Sequence, residues 1–82
     1  MERKITVTGM QKLISKKENV NPMYKIHYTY EDKKINGLGA DSVLVSDGFV
    51  KRYSPEVNGE YLAAVYFDND YRTHFAALFV EG

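Results

Sequence analysis

Met23-Tyr24-Lys25-Ile26-His27-Tyr28-Thr29-Tyr30 is the stretch that decides the fold class, because Tyr24, Ile26, Tyr28 and Tyr30 alternate with Lys25, His27 and Thr29. Successive side chains of an extended chain point to opposite faces, so this alternation reads as a β-strand with one face buried and the other wet. Ahead of it, Asn19-Val20-Asn21-Pro22 is turn chemistry: Asn tolerates positive φ, and Pro lacks the N–H that a ladder needs. Further upstream Ile5-Thr6-Val7 alternates, and the apolar pattern resumes at Met10, Leu13 and Ile14. This predicts a first strand from about residue 4 to 17, broken or bulged near Gly9. Strands one and two then form a hairpin with Lys16, Lys17 and Glu18 at its tip.

Downstream, a third strand is expected over Ser42 to Phe49, entered through a flexible Ile35-Asn36-Gly37-Leu38-Gly39-Ala40 and closed by Ser46-Asp47-Gly48. Ser54-Pro55-Glu56-Val57-Asn58-Gly59 is the next break, and its Asn-Gly pair favours a type I′ turn. A fourth strand from Glu60 to Phe67 and a fifth from Arg72 to Val80 are joined by Asp68-Asn69-Asp70. The best helical pattern, Met10 to Lys17, lacks a good C-cap and continues a strand. The expectation is an all-β chain: a small five-stranded antiparallel barrel, OB-like, with an SH3-like barrel as the alternative. Residues 61 to 67 and 75 to 80 are apolar on both faces, which a sheet with one wet side does not need. Closure into a barrel, or burial against a second copy, accounts for that.

With 82 residues there is room for one modest core, so the whole span 1–82 reads as a single domain. The absence of cysteine excludes disulfides, zinc ribbons and thiol chemistry, and fits an intracellular protein. No signal-peptide core and no apolar run of transmembrane length occurs, so a soluble cytoplasmic protein without membrane contact is expected.

Catalytic and metal motifs fail one by one. Ser15, Ser42, Ser46 and Ser54 have no Gly-x-Ser-x-Gly elbow, and Gly37-Leu38-Gly39 has no following Lys-Ser/Thr to cradle phosphate. His27 and His74 have no metal-ligand spacing. Asp68-Asn69-Asp70 starts like a calcium loop, but the sixth residue is Thr73 and the twelfth Phe79, where Gly and Glu are required. A polar turn is the simpler reading. A non-catalytic protein without cofactor, metal or small-molecule substrate is expected.

The net charge of zero is unevenly spread. Residues 1–41 carry eight basic and five acidic side chains, an excess of +3, and residues 42–82 carry three and six, an excess of −3. Lys12, Lys16, Lys17 and Lys25 flank the tyrosine strand, and Lys33-Lys34 follow it. Cations that replace counterions on phosphates, with rings that stack on unpaired bases, are the combination that binds single-stranded nucleic acid. Tyr71-Arg72, at the second hairpin, is a like pair, although Asp68 and Asp70 beside it repel phosphate. The bland alternative makes the tyrosines core and the lysines edge protection. A tyrosine-rich face also suits a protein-interaction or inhibitor module.

In order and spacing the chain resembles the gene V type single-stranded DNA-binding proteins of filamentous phages. The resemblance runs through Ile5-Thr6-Val7, the basic hairpin, Pro22-Met23-Tyr24, Leu38-Gly39, Val43-Leu44-Val45, Gly59-Glu60-Tyr61 and the hairpin from Phe67 to Val80, about residues 4 to 80. It implies a homodimeric OB-like barrel, encoded by a phage or other mobile element, that coats single-stranded DNA (or RNA) with little sequence preference during replication. By position it implies Lys16, Lys17 and Tyr24 as a DNA-binding wing, with Lys25 adjoining. It implies Tyr71 as a second contact and Phe67 as a dimer-interface residue; Lys12 and Arg72, from the basic and aromatic pattern, are further nucleic-acid candidates, and Phe75, in the apolar fifth strand, a further interface candidate. The chain departs from the family in having Ala76-Ala77-Leu78-Phe79 where the family has basic residues, and Asp68 and Asp70 where its hairpin is glycine-rich.

Overall fold

A computed structural model describes residues 1–14, 22–32 and 34–80. Its elements are β1 (Glu2–Leu13), β2 (Met23–Asp32), β3 (Gly37–Ser46), α1 (Asp47–Tyr53), β4 (Glu60–Phe67) and β5 (Thr73–Val80). The five strands form one antiparallel sheet in the order β3-β2-β1-β4-β5. β1 therefore takes β4, not β5, as its second neighbour, which favours the OB-like order over the SH3-like one. The hairpin tip, with Lys16 and Lys17, lies outside the described residues, as does Lys33.

The break expected near Gly9 is a β-bulge. Val7 pairs with Tyr28 and Gly9 with His27, so Thr8 is the extra residue. A one-residue insertion inverts the alternation. Ile5 and Val7 face the core before it, and Met10 does so after it. That is why the apolar pattern of the sequence skips a beat between Val7 and Met10.

The core is assembled from every strand: Ile5 and Val7, Ile26 and Tyr28, Val43 and Val45, Ala63 and Val65, Phe75 and Leu78. Tyr28 is its largest fully enclosed side chain, 1% exposed, with the Phe75 ring centroid 5.1 Å away. Arg3 lies over the neighbouring Tyr30 ring at 4.2 Å, a cation–π contact at the end of the core.

β1 runs from Glu2 to Leu13, with Ile14 outside it, where a strand from about residue 4 to 17 was expected, and three further features differ from expectation. β3 begins at Gly37, so Gly37 to Ala40 are strand and not a flexible entry. The glycine is needed there for close approach: Gly39 pairs with Tyr30, and a Cβ at Gly39 would run into the Tyr30 ring. Second, β3 stops at Ser46 and a helix follows where the strand was expected to run to Phe49. Ser46 is its N-cap, with Oγ accepting from the Phe49 N–H at 3.1 Å, Asp47 lies in its first turn, and Asp47 pairs with Lys51 at 3.0 Å. Third, Asn58 has positive φ (70°) but Gly59 does not, so Asn58-Gly59 does not form a type I′ turn. Gly59 serves a different need, since a Cβ there would lie 2.6 Å from the Tyr61 hydroxyl. That hydroxyl accepts the Glu56 N–H at 2.8 Å and pins the turn onto β4. The helical alternative for Met10 onward is not formed over Met10–Leu13, which are strand.

β3 and β5 end the strand order and pack against each other. Among the described residues no ladder joins them, and Asp41 spans the seam. Its Oδ2 accepts from the Tyr28 and Thr73 hydroxyls, both at 3.3 Å, and its Oδ1 from the Ser42 N–H at 2.8 Å. Burial of the Tyr28 phenol, reinforced by the Asp41 charge and partly offset by Arg3, pushes its pKa from 10.0 up to about 12. The neutral phenol is thus the form the fold prefers. Stability is therefore complete below the unfolded value near 10 and is lost as pH rises through about 12, where ionisation would place a charge in the core. An alkaline titration followed by tyrosinate absorbance is expected to show one late phase that coincides with loss of β-structure. Tyr28→Phe removes that phase; an unchanged profile in the variant would refute the assignment.

Candidate nucleic-acid interface

An open groove of about 700 Å³ lies over the seam. It is lined by Gln11 and Leu13 of β1, Lys25 of β2, Asp41 to Leu44 of β3, and Tyr71, Arg72, Thr73 and His74 from the β4–β5 loop and the start of β5. The register explains the assembly. Gln11 pairs with Lys25, and Lys25 with Leu44, so these three side chains share the outer face across three strands.

Of the residues singled out by the sequence, the fold brings Lys25, Tyr71 and Arg72 together in this groove, although 46 positions separate Lys25 from Tyr71. It places others elsewhere. Tyr24 shares the face of Ile26 and Tyr28 and packs against the core cluster, half-buried. Its cross-strand partner Lys12 is exposed on that same side, opposite the groove. Alternation alone dictates this: if Lys25 faces the groove, its neighbour Tyr24 turns away. Phe67 is half-exposed (49%) at the end of β4, whereas Phe75, at 6%, is spent on the core against Tyr28.

The β4–β5 loop is organised by one side chain. Asp68 Oδ1 accepts from the N–H groups of Asp70 (2.8 Å) and Arg72 (2.9 Å), and Oδ2 lies 2.8 Å from His74 Nε2. The His74 contact first, and then the two N–H donors, hold the Asp68 carboxyl below the usual carboxylate range. The His74 ring stacks in turn on Tyr66, centroids 5.1 Å apart. A carboxylate so engaged is a poor candidate for a calcium ligand, and its repulsion of phosphate is offset by the donors it faces. Beside it Tyr71 is 88% exposed with φ of 59°.

Gln11, Leu13, Ser42, Leu44 and His74 carry no sequence signal of nucleic-acid contact. They come from three strands, β1, β3 and β5, with no local motif, and only the bulge phase, the β2–β3 register and the packing of β5 on β3 place them together. Among the described residues no group of three or more His, Asp or Glu is arranged to hold a metal, and no helix is long and apolar enough to cross a membrane. Comparison of the chain with protein-family models, with curated proteins and with solved structures finds no match.

Proposed function

We propose that the groove binds single-stranded nucleic acid, with Lys25 and Arg72 on phosphates and Tyr71 stacked on a base, and that the protein is a non-catalytic coating protein. The observation that carries this reading is the convergence of Lys25, Tyr71 and Arg72, from opposite halves of the chain, on one groove. In OB-like folds the outer face of strands two and three, between the loops joining strands one to two and four to five, is where oligonucleotides lie. A stacked base contributes about 1–3 kcal/mol and is tolerant of sequence, which suits a groove with two described cations and one exposed ring. Lys16 and Lys17, in the sequence between β1 and β2, are further candidate phosphate contacts in this proposal.

The direct test is a poly-dT titration followed by tyrosine fluorescence, the chain having no tryptophan. A complex at about 20 mM salt whose affinity falls with salt, by about 0.7 in log K per phosphate contact, is expected. A flat signal at low salt defeats the reading and leaves the protein-interaction module. That rival draws on a specific feature, the apolar outer face where Leu62 pairs with Phe79 and Ala64 with Ala77. In our proposal a second copy covers this face and makes the homodimer. A sedimentation mass equal to one chain at micromolar concentration would remove the dimer and leave the groove reading intact.

A further inference from the structure

Tyr71 occupies the left-handed region at φ 59°, where an L side chain is strained and where Gly or Asn is the usual choice. It also leaves 88% of its surface in water, so neither local conformation nor burial explains a tyrosine there. Strain held in place at a groove wall is the mark of a side chain presented to something outside the fold. What holds it is Asp68, which clamps the chain on both sides of Tyr71. Its carboxylate takes the N–H groups of Asp70 and Arg72, its carbonyl accepts the Tyr71 N–H at 3.0 Å, and its own N–H donates to the Arg72 carbonyl at 3.1 Å. The second carboxylate oxygen, on the His74 side chain, fixes the clamp to the start of β5.

We infer that Asp68 is the positioning residue of the interface: a carboxylate that lowers the local positive charge, yet raises affinity by holding Tyr71 pre-ordered in its stacking conformation. This deepens the single-stranded nucleic acid reading and rests on it. Pre-ordering matters because an exposed ring on a floppy loop must be immobilised at the moment of binding. The two effects of Asp68 have opposite signs, and substitution separates them. Asp68→Asn removes the charge and keeps an acceptor oxygen for the Asp70 and Arg72 N–H groups. Asp68→Ala removes charge and clamp together.

The experiment is a set of poly-dT affinities for the full chain at fixed moderate salt, with thermal unfolding recorded for each variant. Asp68→Asn is expected to bind as well as the unsubstituted chain or slightly better, and Asp68→Ala about tenfold worse despite its more favourable charge. In a Tyr71→Ala background, Asp68→Ala costs nothing further or tightens binding, since there is no ring left to place; general destabilisation would cost the same in both backgrounds. Tyr71→Gly is expected to keep or raise the melting temperature while weakening binding about as much as Tyr71→Ala. Equal affinity of Asp68→Ala and the unsubstituted chain overturns the inference and spares the interface. So does an undiminished loss in the Tyr71→Ala background. Failure of the unsubstituted chain to bind poly-dT at low salt overturns the interface and the positioning role together.

Discussion

A chain carrying Lys25→Ala, Tyr71→Ala and Arg72→Ala is expected to lose at least about a hundredfold in poly-dT affinity at moderate salt while keeping its fold. The stacked ring contributes about 1–3 kcal/mol, which alone is about 5- to 150-fold. Two lost phosphate contacts lower the slope of log K against log salt by about 1.4, so the variant also becomes less salt-sensitive. None of the three side chains belongs to the core, and Tyr71 and Arg72 are exposed, so surface substitution there leaves the melting temperature within a few degrees. Lys51→Ala is the matched control. That lysine is on α1, paired with Asp47, and does not line the groove. Equal losses from the triple variant and from Lys51→Ala would mean that binding follows overall charge and that the groove has no special part in it.

Tyr28→Ala is expected to remove from about a third to nearly all of the stability of the fold. Truncating a fully buried aromatic ring costs about 3–5 kcal/mol, against a total stability of about 4–12 kcal/mol for a chain of this length. The loss is compounded at the seam, where Asp41 keeps the Thr73 hydroxyl but loses the phenol. Tyr28→Phe separates the two contributions, since it retains the ring against Phe75 and costs only about 1 kcal/mol for the hydrogen bond. Urea midpoints by circular dichroism give both numbers. A Tyr28→Ala midpoint within error of the unsubstituted chain would contradict the core as described.

The strands were legible where alternation was strong and uninterrupted. β2 falls where period two puts it, β4 where turn residues bound an apolar run, and the Gly9 irregularity was visible as a phase slip between Val7 and Met10. α1 escaped because seven residues are too few for a 3.6-residue period to declare itself; the usable signal was the cap, Ser46 with Phe49 three residues on. Gly37 to Ala40 read as loop because glycine is a weak strand former, and the reason for Gly39 lies across the sheet in the Tyr30 ring. The groove was half visible. Charge and aromatics pointed to Lys25 and to Tyr71-Arg72, whereas Tyr24, implied by position in the resemblance, has the parity of Ile26 and Tyr28 and lies on the core side. Groove residues drawn from β1, β3 and β5 depend on register, which no local pattern records.

β1 is hydrogen-bonded on both sides, to β2 and β4, whereas β3 and β5 each have one described ladder and meet across a line held by Asp41. In the language of native-state fluctuations, the domain has a built-in order of opening. Amide protons along β1 exchange with solvent only when the whole sheet comes apart, and those on the rims of β3 and β5 exchange by fraying from the Asp41 line. A strand of nucleic acid seated across that line would act as a clasp. Its presence would be registered by slowed exchange in β3 and β5, at positions that never touch it, before any change reached β1.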